Sequence, residues 1–351
     1  MGEVGRVRLD WNGKDMPTRA TGAELCLVRP GDPACTLVHG DNLDVMRALE
    51  RREMSFVLAY LDPPFLTGRL HLRVTRARRA DTGTIVRSLG PAFDDRWSGL
   101  AEYLSELRPR LVAVRDLLDD RGCMVLHVDT KTSHYAKVLC DEIFGQSCFA
   151  SEIVWRYRRW PSRTANFQRV HDVLLRYVKN PRIAPRFRQL YEPLAPSTQA
   201  TWGQGRQRAI FDEQGRRKRS STTAAPSPGT PLGDVWDIGI VAPVARERTG
   251  YPTQKPEALI ERLVQACTEP GDLVLDPYVG SGTTLAVCHR LGRPAVGVDA
   301  SSGAVEVASR RLEKAGVVPL FERTRRTERP RRLRKTGGAE PANQRLVHRF
   351  N

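Results

Sequence analysis

The hydrophobic positions of this chain follow two spacings that take turns. In "TLVHGDNLDVMRALERR", which begins at Thr36, a short apolar run ends at a Gly40 turn, and Leu43, Met46 and Leu49 then recur at helical spacing. The pattern predicts a strand and then a helix capped at Asp41 or Asn42. "MSFVLAYLD" is apolar almost throughout and predicts a buried strand. "EYLSELRPRLVAVRDLLDDRG" predicts a helix broken at Pro109, and "CMVLHVD" a strand after it. Ser133 is placed to cap the helix "HYAKVLCDEIF", Gly145 ends it, and "HDVLLRYVK" predicts another strand. Further on, "TQKPEALIERLVQACTEPGD" sets Pro256 at a first helical turn, and "LVLDPYVGSGTTLAVCHRLG" reads as strand, glycine turn and helix. "PAVGVD" and "AVEVASRRLEKAG" add one more of each. Strands and helices alternating at these lengths predict an α/β fold, a mixed, mainly parallel sheet with helices on both faces.

The rhythm lapses in several places. Residues 1–35 carry Gly and Pro punctuation and read as an N-terminal arm. Residues 66–96 combine many arginines with no sustained period and read as a long loop. Residues 155–235 open on "WRYRRWPSR" and contain "RRKRSSTTAAPSPGTP", a flexible basic loop by composition. The tail, residues 321–351, contains "RTRRTERPRRLRK", too poor in apolar residues to fold alone and expected to be disordered. Regular patterning therefore occupies residues 36–154 and 236–320.

Two strand ends carry the chemistry. In "AYLDPPFLTG" an apolar run ends in Asp62, Pro63, Pro64 and Phe65. Two prolines remove two backbone donors and fix two φ angles, so the tip is rigid and presents carbonyls and one carboxylate. By itself the motif also reads as a strand terminator. In "LVLDPYVGSGTT" a strand ends at Asp276, and Gly280 and Gly282 let the backbone approach a ligand before a helix starts. Asp299 ends the next strand, 23 positions beyond Asp276, where an acidic side chain accepts from ribose hydroxyls in dinucleotide-type folds. A nicotinamide site is disfavoured because the third glycine of its fingerprint falls at Leu285. Two strand-end carboxylates around one glycine loop favour S-adenosylmethionine, whose cationic end and ribose both suit carboxylates.

Charge narrows the partner. The 351 residues carry a formal net charge of +16, which attracts polyanions and makes nucleic acid the favoured partner. "WRYRRWPSR" interleaves Trp155, Tyr157 and Trp160 with Arg156, Arg158, Arg159 and Arg163. That composition suits stacking and phosphate contact, and equally an amphipathic strand with an aromatic core face and an arginine face. His171 reads as structural. The 7 cysteines show no CxxC pair, so neither a zinc site nor a disulfide framework is indicated. No run is long and apolar enough to span a bilayer, and the first residues lack a signal-peptide core, so the expected compartment is the cytoplasm, with nucleoid association.

The combination "HGDNL", "LDPPF", "YPTQKP" and "VLDPYVGSGTT", in that order, resembles the permuted β-class DNA amino-methyltransferases, across about residues 36–180 and 234–315. The resemblance implies a Rossmann-like S-adenosylmethionine-dependent methyltransferase fold in which the catalytic motif precedes the cofactor motif, with a target-recognition insertion at 155–235. It implies methyl transfer to an exocyclic amino nitrogen of a flipped base in double-stranded DNA, and Asp62 in a DPPF motif tilts the base to adenine. It carries Asp276, Gly280, Gly282 and Thr283 onto the methionine end of S-adenosyl-L-methionine and Asp299 onto the ribose. Thr253, Lys255 and Pro256 fall on the wall of the pocket and Asp41 near the adenine moiety. Leu66 stands where the family often has Asn. On this reading Asp62 and the Pro63 carbonyl accept the two N–H bonds of the target amino group, Pro64 stiffens the tip and Phe65 stacks on the base. Cytosine N4 and a catalytically idle DNA-binding protein are the alternatives. Carbon-5 methylation is disfavoured because no cysteine follows a proline. The reading is compatible with a cognate restriction endonuclease and with a homodimer.

Overall fold

The computed structural model describes residues 8–14, 22–78, 85–161, 163, 165–202, 209–219 and 227–326. In chain order the first half holds β1 (Ala23–Arg29), β2 (Asp32–His39), α1 (Asn42–Arg51), β3 (Phe56–Leu61), β4 (Arg69–Arg78) and β5 (Ile85–Asp95). It continues with α2 (Leu100–Leu117), β6 (Leu118–Val128), α3 (Ser133–Phe144), β7 (Phe149–Arg156) and β8 (His171–Val178). Short elements follow: β9 (Tyr191–Glu192), α4 (Pro196–Trp202), β10 (Ala209–Phe211), β11 (Arg217–Arg219), β12 (Thr230–Pro231) and β13 (Val235–Asp237). The last part holds α5 (Glu257–Cys267), β14 (Val274–Asp276), α6 (Thr283–Arg290), β15 (Ala295–Asp299), α7 (Ser302–Lys314) and β16 (Pro319–Arg326).

One ten-stranded sheet runs in the order β1-β16-β2-β15-β14-β3-β6-β8-β7-β13. Only β1 and β8 oppose their neighbours in it; the other pairings are parallel. The near-continuous apolar runs explain this architecture. Phe56, Leu58, Ala59, Tyr60 and Leu61 of β3 are all buried, as a strand covered on both faces requires. Helices α1, α2 and α3 pack in series, as do α5, α6 and α7. The cofactor-loop strand β14 continues through α6 to β15 on one side, whereas β3 leads to β6 on the other. The chain therefore switches direction between β14 and β3, and a crevice opens at their carboxyl ends.

Several expectations are corrected. The arm at 1–35 supplies β1 and the start of β2, because β1 pairs with β16 from the other end of the chain, a partner that no local pattern announces. The same pairing takes residues 321–326 out of the expected tail; residues 327–351 lie outside the described residues. Within residues 66–96, Arg69–Arg78 and Ile85–Asp95 pair as the antiparallel ribbon β4–β5, whose alternation in "RLHLRV" was hidden by arginines at the polar positions. Pro109 does not break α2: Tyr103, Leu104, Leu107, Leu111 and Val114 keep one buried stripe through it, and packing holds the helix together despite the missing donor. Helix α3 is capped at Thr132, with Asp129 accepting from the Lys131 and Thr132 amides, instead of at Ser133. The segment read as 155–235 includes all of β8, a strand of the main sheet, so the parts outside the sheet narrow to the connection 157–170 and to 179–234. Both ends of its basic run are paired, β11 with β10 and β12 with β9, while residues 220–226 lie outside the described residues.

Candidate active site

The tip after β3 is built from its backbone outward. Asp95, 1 % exposed at the end of β5, accepts from the amides of Phe65, Leu66 and Thr67, from the Thr67 hydroxyl and from the Trp97 indole. The three N–H groups that follow the prolines thus converge on one carboxylate, which fixes the direction in which the Pro63 and Pro64 carbonyls leave the strand. This hold keeps Leu66 at φ 58°, a left-handed conformation that a branched apolar side chain adopts only at a cost of about 1 kcal/mol or more. Asn at this place would accept that conformation far more readily.

Asp62 itself is not open to solvent on all sides. Lys255 Nζ lies 2.6 Å from both of its carboxylate oxygens and 4.8 Å from the Phe65 ring centroid. Lys255 was expected as a cofactor wall; it lines the cleft, but it is buried and its charge is spent on Asp62. The link spans 193 positions of sequence, and no local signal announces it.

Across the crevice, Gly280 (φ 47°) and Gly282 (φ 76°) turn the chain into α6. A Cβ on Gly282 would come within 2.9 Å of the Ala308 methyl, and one on Gly280 within 3.2 Å of the Tyr251 ring, so both glycines are required. Asp299 Oδ2 accepts from the Gly280 amide at 3.0 Å and Oδ1 from the Ser301 amide at 2.8 Å. Burial raises the Asp299 carboxyl above its ordinary value, against those two amides. Asp276 is buried deeper, and burial pushes its pKa up to about 7, with a Thr284 hydrogen bond and the Tyr278 amide pulling the other way. Two clefts of about 790 and 760 Å³ meet over Pro63, Pro64, Phe93, Tyr278 and Asp299. One reaches Asp62, Phe65, Thr253, Lys255, Asp276, Gly280 and Thr283; the other reaches Asp41, Asn42 and Arg110. Pro256 caps α5 and Gly282 caps α6, so both frame the cleft without lining it. Asp41 caps α1 through Oδ1 and binds Arg110 through Oδ2, and its half-exposed carboxylate keeps further lone pairs toward the second cleft.

Sequence comparison bears on this arrangement. A model of the DNA methylase family matches residues 56–310, which span the tip, Lys255, the glycine loop and Asp299. The chain belongs to the DNA methylase family. Among similar proteins, DNA adenine methyltransferase YhdJ of Escherichia coli (strain K12) is 28 % identical over 288 residues, covering 82 % of this chain and 85 % of that protein. Type II methyltransferase M.HpaI of Haemophilus parainfluenzae is 27 % identical over 292 residues, covering 83 % and 78 %. The solved PvuII DNA methyltransferase, described as cytosine-N4-specific, shares the fold with a TM-score of 0.51 at 15 % identity, covering 80 % of this chain and 89 % of its own. The methyl donor is S-adenosyl-L-methionine. The residues present fit it: the Gly280 turn lines the cleft, and the buried Asp276 and half-buried Asp299 carboxylates beside it suit a cationic ligand.

The raised Asp276 pKa gives the methylase a measurable signature. Below about pH 7 Asp276 is protonated in the free protein, and a cationic ligand requires it ionised, so binding must expel a proton there. Donor affinity should fall by up to about tenfold per pH unit below that point and level off above it. Calorimetry in two buffers of different ionisation enthalpy should find proton release at acid pH and none on the alkaline side. Equal proton release at all pH values would place the ligand's cation away from Asp276.

The expected DNA-facing residues divide. Trp155 is 3 % exposed, donates from its indole to the Ile238 carbonyl at 2.8 Å and packs on Tyr157, so it belongs to the core and the expectation for it is corrected. The alternation of β7 sends Trp155 inward and Arg156 outward, where Arg156 pairs with Asp237. Arg158, Arg159, Trp160 and Arg163 are exposed on the connection from β7 to β8, Trp160 at 91 %, with Phe167 at 99 % beside them. Sequence reasoning missed Phe167, Asp95, and a buried cluster of Tyr60, His127 and Asp172 behind the tip. "FDDRW" and "LHVD" were the available signals, a polar residue at the end of each apolar run.

Proposed function

We propose that the methylase transfers a methyl group from S-adenosyl-L-methionine to the exocyclic N6 of an adenine at a specific sequence in double-stranded DNA. The observation that carries this reading is the rigid presentation of the Asp62 carboxylate and the Pro63 carbonyl beside the glycine-loop cleft. The amino lone pair of adenine is delocalised into the ring. Two fixed acceptors for its N–H bonds favour a pyramidal nitrogen and thereby free that pair. The bound donor supplies an electrophilic methyl group. Each carboxylate oxygen has more than one lone pair, so Asp62 can hold Lys255 and accept from the amino group together. Phe65 and the cleft wall receive the base once it leaves the duplex. The relative named for adenine methylation supports N6.

The deciding experiment incubates the protein with unmethylated duplex DNA and labelled donor, digests the DNA to nucleosides and identifies the product. N6-methylated deoxyadenosine is the expected result. N4-methylated deoxycytidine would replace the base assignment, and no transfer would leave a DNA-binding protein.

In the same reading, Asp299 holds the ribose, Thr253 and Thr283 close the wall, and Arg156, Arg158, Arg159, Trp160 and Arg163 meet DNA. The region expected at 155–235, in its parts outside the sheet, 157–170 and 179–234, reads the target sequence. A cognate restriction endonuclease, a homodimer and residence on the nucleoid complete it. Asp299→Ala should weaken donor binding by about 1.5–3 kcal/mol, the scale of a charge-assisted hydrogen bond. Calorimetry showing unchanged affinity would move the ribose contact elsewhere.

A further inference from the structure

The buried polar cluster behind the tip is chemically ordered. His127, fully buried on β6, places Nδ1 at 2.8 Å from the Tyr60 hydroxyl and Nε2 at 3.4 Å from Asp172 Oδ2. The Tyr157 hydroxyl donates to Asp172 Oδ1 at 3.0 Å, and Arg159 in turn donates to Tyr157. Asp172 stays ionised: burial opposes this, but the bonds from His127 and Tyr157 and the charge of Lys255 hold its carboxyl below its ordinary value. A carboxylate only accepts, so Nε2 carries the ring proton and Nδ1 holds a lone pair. Nδ1 itself lies 4.0 Å from Asp62 Oδ1, and its one lone pair accepts from the Tyr60 hydroxyl, which must turn aside before Nδ1 can take a proton.

We propose that His127, supported by Asp172, takes over from Asp62 the proton that the target amino group must lose. The inference rests on the amino-methylation reading. When the nitrogen gains its C–N bond and the C–S pair returns to sulfur, the nitrogen is left with one N–H proton too many. Asp62, hydrogen-bonded to that nitrogen, accepts the proton first. Lys255, already an ammonium, has no lone pair to receive it, whereas Nδ1 has one once the Tyr60 hydroxyl rotates away, and the Tyr60 oxygen then accepts from the new Nδ1–H. The 4.0 Å gap is longer than a hydrogen bond, and contacts of this kind tighten when substrate is in place. The imidazolium that results is paired with Asp172, and the proton returns to water after product leaves. Burial, then the charge of Lys255, keeps the His127 pKa below its ordinary 6.5, against Asp172 and Asp62, so the ring is neutral and ready at neutral pH. The other faces of the ring are covered by Phe65 from the tip and Trp155 from β7, neither of which titrates here.

Single-turnover transfer to duplex DNA, at saturating donor so that Asp276 is held ionised, tests this across about pH 5 to 9. The wild type should show an acid limb below the ordinary imidazole value. His127→Gln should lower the rate by about 10- to 100-fold, remove that limb and leave DNA and donor dissociation constants within about twofold. Asp172→Asn keeps the acceptor for Nε2 but not its charge, and should move the limb to lower pH. Independently of turnover, 15N spectra of the imidazole should show the Nε2–H tautomer at neutral pH. A limb unchanged in either variant, or the Nδ1–H tautomer, overturns the proposal, and the spectra decide if His127→Gln does not fold. Absence of amino methylation by the wild type would instead overturn the reading on which the inference rests.

Discussion

Asp62→Ala is expected to lower methyl transfer by about 10³-fold or more while donor affinity stays within about twofold, because in the proposed reading the carboxylate faces the target amino group and the donor sits over the glycine loop. The ion pair adds a second expectation. Removing Asp62 leaves the Lys255 ammonium buried without its partner, and breaking a buried pair costs up to about 3–5 kcal/mol, less here because Asp62 keeps some exposure. The variant should therefore unfold at lower denaturant concentration than the wild type. Adding Lys255→Met should restore most of that stability and none of the activity. Near-normal turnover in Asp62→Ala would remove the proposed chemistry, and undiminished stability would show that the lysine finds other company.

Asp95→Ala should produce the second large effect, although Asp95 touches neither base nor donor in this reading. Its loss leaves the amides of Phe65, Leu66 and Thr67 without an acceptor and removes the hold that keeps Leu66 left-handed. Fully buried donors without partners cost about 1–3 kcal/mol each, and these three are only partly buried, so a total of about 2 kcal/mol is expected after water and relaxation compensate. The tip should then wander, and misplacing a reacting group by about 1 Å costs on the order of 100-fold in rate. Asp95→Asn, which retains one acceptor oxygen, should recover part of both. Denaturant titration and single-turnover rates measure the two effects, and full activity in Asp95→Ala would show that the prolines alone hold the geometry.

What could be read from the sequence follows the range of the interactions involved. Asp62, Asp276, Asp299 and the two loop glycines sit at strand ends, where a short motif carries both the turn and the chemistry, and the structure brings them to one crevice. The partners that hold them were not legible. Lys255 reaches Asp62 only because β3 lies beside β14, and Asp172 reaches His127 only because β8 runs antiparallel to β6. Such pairings belong to the sheet and leave no local period. Trp155 failed for a different reason: its neighbours are arginines, and composition alone does not say on which side of a strand an aromatic ring falls. The ribbon β4–β5 was lost the same way, since arginine occupies positions that other ribbons fill with Thr or Ser.

The strand order carries a consequence for how the chain is made. Strands β2 and β3 are close in sequence, yet β15 and β14 lie between them in the sheet. A nascent chain that has produced the whole catalytic tip still lacks the centre of its sheet, and the facing edges of β2 and β3 have no partners until Asp299 has emerged. A fragment ending before β14 should accordingly be captured by chaperones or aggregate, while a separately supplied piece spanning α5 to β16 should rescue it in trans. Synthesis itself then acts as a safeguard: no unfinished chain can bring the tip at Asp62 to the glycine loop.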